Sequence, residues 1–180
     1  MNSLRGHLLV SGPGLWDPNF RRTVVLIGHH DDDGAVGVVL NQPLEATVEE
    51  AAPPLSTLVP SGEPLFRGGP VQPGSAVVLA DFEDPDRAAV LALDSIGFLP
   101  EESDTASLGL IRRARVFAGY AGWSAGQLEA EMAEDSWHPT PALPADVFTD
   151  SPDGLWAAAV GRLGPGFRLL TTMPLDPTLN

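Results

Sequence analysis

The sequence predicts a single-domain α+β fold, and three observations carry that prediction. Residues 23–40 hold two β-branched apolar runs, Thr23 to Ile27 and Ala35 to Leu40, joined by the short acidic turn Asp31-Asp32-Asp33-Gly34, the pattern of an antiparallel hairpin. Residues 115–134, RVFAGYAGWSAGQLEAEMAE, run from an apolar strand through glycines and Trp123 into a helix. The 180 residues show no internal repeat, linker or cysteine, so residues 1–180 read as one domain without disulfides, thiolate chemistry or cysteine-ligated metal.

The elements follow in order. His7 to Ser11 is a first strand, ended by Gly12-Pro13-Gly14. After the turn-forming Asp17-Pro18 and the hairpin, Thr47 to Ala52 has the form of a short helix. Thr47 is its N-cap and Glu50 completes a capping box, before Pro53-Pro54 stops it. Residues 53–64, with four prolines, read as loop, and Leu65 to Val71 as a strand end running into Gly68-Gly69-Pro70. Ser75 to Leu79 suits a strand, 81–86 an acidic solvated turn, and Ala88 to Leu93 either strand or helix. Pro100 to Arg113 reads as helix or loop, with acids at its start and arginines at its end slightly favouring helix through the dipole. Ser124 with Gln127 three residues on predicts a capped helix over 125–134, with Leu128 and Met132 inward and Gln127, Glu131 and Glu134 on a flank. Trp137 and the proline-rich HPTPALP close that unit. Ser151-Pro152 opens a further helix up to Gly164, and Phe167 to Thr172 reads as a last strand before MPLDPTLN.

Charge restricts the function classes. Twenty-four acids against ten bases, all arginine, leave a formal charge of −14, which repels a phosphate backbone unless the arginines gather on one face. Arg112, Arg113 and Arg115 form one cluster and Arg21-Arg22 another. Salt bridges to the abundant carboxylates are the expected use of both. With no secretory signal at the start and no apolar run of 18 residues, a cytoplasmic protein without a membrane span is expected.

Three motifs in order, DPNFRRTVVLIGHHDDDGAVGVVLNQP at 17–43, RGGPV at 67–71 and VFAGYAGWSAGQLEAEM with Trp137 at 116–137, resemble the YqgE/AlgH family over nearly the whole chain. The resemblance implies a bifurcated, partly barrel-like β-sheet flanked by helices. It implies no chemistry, catalytic residue or cofactor, and only a distant link to transcriptional regulation. Many relatives carry a cysteine where this chain has Gly28, so a thiol role at that position cannot operate here.

Several residues invite a functional reading. His29-His30 with the following aspartates has metal-ligand chemistry, although adjacent strand residues point to opposite faces, so a hydrogen-bonded strand-end histidine is favoured. Gly122-Trp123-Ser124-Ala125-Gly126 matches the letters of a hydrolase elbow, against which stand the capping role of Ser124 and the lack of an ordered acid and histidine downstream. Gly68, Gly69 and the glycines of 119–126 can expose backbone N–H groups to an anion or simply allow chain crossings. Arg22, Asn41 and Gln127 are polar residues inside apolar motifs, and Trp123 and Trp137 read as core aromatics. The candidate cleft is therefore Arg22, His30, Asn41, Gly68, Gly69, Trp123, Ser124 and Gln127. The expected function is an accessory or regulatory protein, without cofactor, that binds a protein partner or small ligand. A small hydrolase using Ser124 or His30 and a DNA-binding regulator are the alternatives.

Overall fold

A computed structural model describes residues 2–101 and 103–173, except the side chain of Ser107. The strands are β1 (His7–Ser11), β2 (Val24–Asp31), β3 (Gly34–Val39), β4 (Pro43–Thr47), β5 (Pro64–Arg67), β6 (Val71–Phe82), β7 (Val90–Leu93), β8 (Ile96–Phe98), β9 (Ile111–Ser124) and β10 (Trp137–Pro141). The helices are α1 (Val48–Ala51), α2 (Gln127–Ala133), α3 (Pro144–Val147) and α4 (Pro152–Arg162). One sheet runs in the order β10-β1-β2-β3-β9-β6-β8-β7, with β4 and β5 attached as a side branch on β9. Every pairing is antiparallel except β5 with β9. The sheet thus branches at β9, as the resemblance implies, but β10 and β7 are its two ends and it does not close into a barrel.

Both faces of β1–β3 are covered, which is why these strands are apolar without alternation. On one face Leu8, Val10, Val24, Leu26 and Val38 pack with Phe66, Phe117 and Trp156 of α4. On the other Leu9, Val25, Ile27, Ala121, Trp123 and Trp137 pack beneath Leu128 of α2. A third cluster joins Val48 of α1 to Phe82 and Val116. The Thr47 capping box is present, with Glu50 N–H donating to Thr47 Oγ1 at 3.3 Å and Thr47 N–H to Glu50 at 3.0 Å.

Several expectations need correcting. Among the described residues of 100–113 there is no α-helix: a 3₁₀ turn forms at Thr105–Ser107, Gly109 is left-handed, and β9 starts at Ile111 with its arginines on a strand. Residues 165–172 are a 3₁₀ segment instead of a strand, opened by Pro165 directly after Gly164. Pro53–Leu58 is likewise 3₁₀. The HPTPALP stretch begins in an edge strand, where the missing N–H groups of Pro139 and Pro141 are tolerated. Helix α2 is capped at the left-handed Gly126, and Ser151 makes no side-chain cap to α4. Residues 174–180 lie outside the described residues.

Candidate functional site

A β-bulge decides where the histidines point. β2 pairs Ile27 with Gly37 but His29 with Val36, so the register slips at Gly28 and every later side chain changes face. His30 then lies in one row with Ala35 and Trp123, on the α2 side, while His29 turns to solvent. His30 is 6% exposed. Its Nδ1 accepts the Leu4 N–H at 3.0 Å, so Nε2 carries the ring hydrogen and donates to Glu129 Oε1 at 2.8 Å. The Ser3 hydroxyl donates to the His30 carbonyl at 2.9 Å, which ties the start of the chain to the same strand end. The Glu129 carboxyl is held below its ordinary range, first by a backbone N–H at the helix start and then by His30. Asp31 is lowered too, first by the Asp33 N–H and then by His29. Among the described residues no three His, Asp or Glu side chains converge to hold a metal.

Ser124 ends β9 in a row with Gly34 and Asp31, one residue past the row of Trp123 and His30 and therefore on the opposite pleat. Gln127 Oε1 accepts both the Ser124 N–H at 3.0 Å and its hydroxyl at 3.2 Å. This is half of the expected capping box: the glutamine reaches back, but the serine oxygen takes no helix N–H, because Gly126 occupies the cap position. Gln127 in turn donates to Glu131 at 3.0 Å, and the other Glu131 oxygen accepts the indole N–H groups of Trp123 and Trp137, each at 2.9 Å. Phe20 packs on both rings at 5.5 and 6.2 Å, so the tryptophans are core aromatics as the sequence predicts. Among the described residues Ser124 has no basic partner, and both His30 nitrogens are hydrogen-bonded, so the two residues do not form a nucleophile–base pair with each other.

The remaining candidates lie elsewhere. Asn41 holds the β1–β2 junction, accepting the Val24 N–H at 3.0 Å and donating to the Arg22 carbonyl at 2.9 Å. Arg22, in a left-handed conformation, lies over Trp156 at 4.9 Å and donates to the Met173 carbonyl. Among the described residues neither Arg21 nor Arg22 pairs with a carboxylate, and Arg21 lies over Trp16. Arg112, Arg113 and Arg115 do pair with Asp81, Asp150 and Glu63. Arg115 is 3% exposed, and burial lowers its pKa. Gly68 and Gly69 cross β9 so closely that a Cβ on either would collide with the backbone at Gly119 or Tyr120. These glycines serve the crossing, and Gly68 N–H is bonded to the Ala118 carbonyl at 2.9 Å.

Beside that crossing opens a cleft of about 350 Å³, lined among others by Gln72, Ser75, Val77, Phe98, Glu101 and Tyr120. Sequence reasoning missed it, because it arises where β8 stops. The Ala118 carbonyl faces β5, so its β6 partner Ala76 turns its own N–H and C=O away from β9. Val78, on the same side, accepts the Leu99 N–H at 3.0 Å, and the β6–β8 pairing ends there. Among the described residues Ala76 has no backbone partner on that side, leaving a short open strand edge in the cleft.

The fold and these sites define a class: a one-domain α+β protein built on a branched sheet, whose chemically suggestive side chains are mostly engaged within the structure. The profile of the family described as AlgH-like matches residues 8–168, and the chain belongs to that family. A UPF0301 protein of Thermobifida fusca is 40% identical over 192 residues, spanning 99% of this chain and 96% of its own. One from Mycobacteroides abscessus is 38% identical, spanning 97% and 87%. The solution structure of the AlgH protein from Pseudomonas aeruginosa matches with a TM-score of 0.72 at 33% identity over 97% of each chain. A crystal structure of a Corynebacterium diphtheriae protein matches with a TM-score of 0.83 at 26% identity, covering 94% of this chain and 92% of that one.

Proposed function

We propose that this chain is a non-catalytic accessory protein of the cytoplasm that binds an extended peptide segment of a partner in the cleft beside the Gly68-Gly69-Pro70 and Gly119–Trp123 segments. The open edge of β6 carries this reading. An extended chain adds to such an edge through main-chain hydrogen bonds, while neighbouring pockets take alternate side chains. Val77, Phe98 and Tyr120 supply apolar walls and Glu101 a negative rim. No helix among the described residues is long and apolar enough to cross a membrane, in keeping with a soluble binding partner.

The test is a titration of ¹⁵N-labelled protein with a pooled library of capped nine-residue peptides, followed by backbone amide shifts. Saturable shifts are expected at Gln72, Ala76 and Tyr120. Ala76→Pro removes the N–H facing the cleft without removing a sheet bond, and it is expected to weaken binding at least tenfold in folded protein. Shifts confined to other surfaces, or binding indifferent to Ala76→Pro, would refute the reading.

A further inference from the structure

The open edge at Ala76 has two faces, and each has its own pocket. Ala76 pairs with Ala118, and residues directly opposite in a sheet share a face, so both side chains lie on the side covered by α1, where Ala118 packs with Ala52, Leu55 and Val78. Val77 pairs with Phe117 on the other side, where Phe98 and Tyr120 also pack. A second cavity, of about 240 Å³, adjoins the first on the α1 side and is bounded by Ala51, Ala52, Leu65 and Ala118. β6 leaves its register with β9 between Val71 and Ala76, and Gln72 is left-handed at φ 46°. The excursion lines both cavities: Gln72 borders the first, Pro73 and Gly74 the second, and Ser75 and Ala76 both.

A strand added at Ala76 places successive side chains on opposite faces. The residue opposite Ala76 faces α1 and the second cavity, and the residues before and after it face Val77, Phe98 and Tyr120. The alanines and glycine around the second cavity leave room there for an aliphatic side chain and offer it apolar walls. Charge selects the flanks. The chain carries a formal −14 and Glu101 stands at the cleft rim, so complementarity favours cationic residues on either side of the apolar ones. Resting on the peptide-binding reading above, we infer that the partner's segment carries an aliphatic residue between two larger apolar ones and is flanked by lysine or arginine, its central side chain entering the cavity beside α1.

Fluorescence anisotropy with dye-labelled, capped peptides Gly-Ser-Lys-Phe-X-Phe-Lys-Ser-Gly, X being leucine, alanine or aspartate, reads the selectivity. The leucine peptide is expected to bind about tenfold or more tighter than the alanine peptide, with aspartate weaker still. Glutamate in place of both lysines is expected to weaken the leucine peptide about tenfold at low salt. Ala51→Leu, at an exposed position of α1 that lines the second cavity, narrows it and brings the leucine and alanine peptides to within about threefold of each other. Should that variant fail to fold, Ser75→Leu, at the exposed residue bordering both cavities, carries the same expectation. Binding that Ala76→Pro weakens but that ignores X overturns the inference and leaves the peptide-binding reading standing, whereas no binding by any peptide removes both. A leucine preference untouched by the cavity variant in folded protein, or equal binding of the glutamate-flanked peptide, also overturns it. So does a wild-type dimer that Ala76→Pro dissociates, since the occupant is then a second copy of this chain.

Discussion

At His30 the hydrogen bonds settle what the ring can do. One nitrogen accepts the Leu4 N–H and the other donates to Glu129, so the side chain fastens Leu4 and the start of α2 to β2, while the His30 carbonyl holds Ser3. His30→Ala leaves the half-buried Leu4 N–H without a partner and is expected to cost about 1–3 kcal/mol, read by urea unfolding, with faster amide exchange at Leu4. The carboxyl partner gives this a pH dependence. Because the folded Glu129 pKa lies below its ordinary value, its contribution is complete above the unfolded value and is lost as pH falls through the folded one. In a side-chain ¹³C titration the Glu129 midpoint should lie below that of an unperturbed glutamate and rise in His30→Ala; an unmoved midpoint would remove the coupling. The histidine's hydrogen-bonded state was legible from its position at a strand end. Its partner was not, since Glu129 is 99 residues away and the bulge that turns His30 toward it leaves only a glycine as its trace.

At the scale of elements, Gly28 shows how a bulge and a distant strand depend on each other. A Cβ at this position would run into the ring of Phe98 on β8. Gly28→Cys is therefore expected to destabilise this chain by about 1–3 kcal/mol, and less when Phe98→Ala makes room. A double-mutant cycle by urea unfolding reads the coupling, and strict additivity would contradict it. The hairpin β2–β3, the α1 capping box and the apolar strands were readable because their signals are local: turn chemistry, a cap with its partner three residues on, and β-branched runs. Residues 100–113 misled because acids and arginines at opposite ends imitate a helix dipole, whereas Gly109 and the pairing of β9 with β6 decide the conformation. The strand character of β10 was hidden for a related reason, its prolines being compatible only with an edge that the sequence cannot locate.

For the molecule as a whole, charge and packing point the same way. The arginines of β9 that a nucleic-acid surface would need are bound to Asp81, Asp150 and Glu63, one of them within the core. The serine and histidine that a hydrolase would need stand on opposite pleats, each hydrogen-bonded to a different residue of α2. Among the described residues the open edge of β6 remains available to a visitor. The central claim, recognition without turnover, is tested most directly by steady-state hydrolysis of a panel of activated carboxylic and phosphate esters with the purified wild-type chain, Ser124→Ala and His30→Gln. Equal, non-saturating background rates for all three proteins are predicted; a saturable wild-type rate that either substitution abolishes in folded protein would contradict the claim.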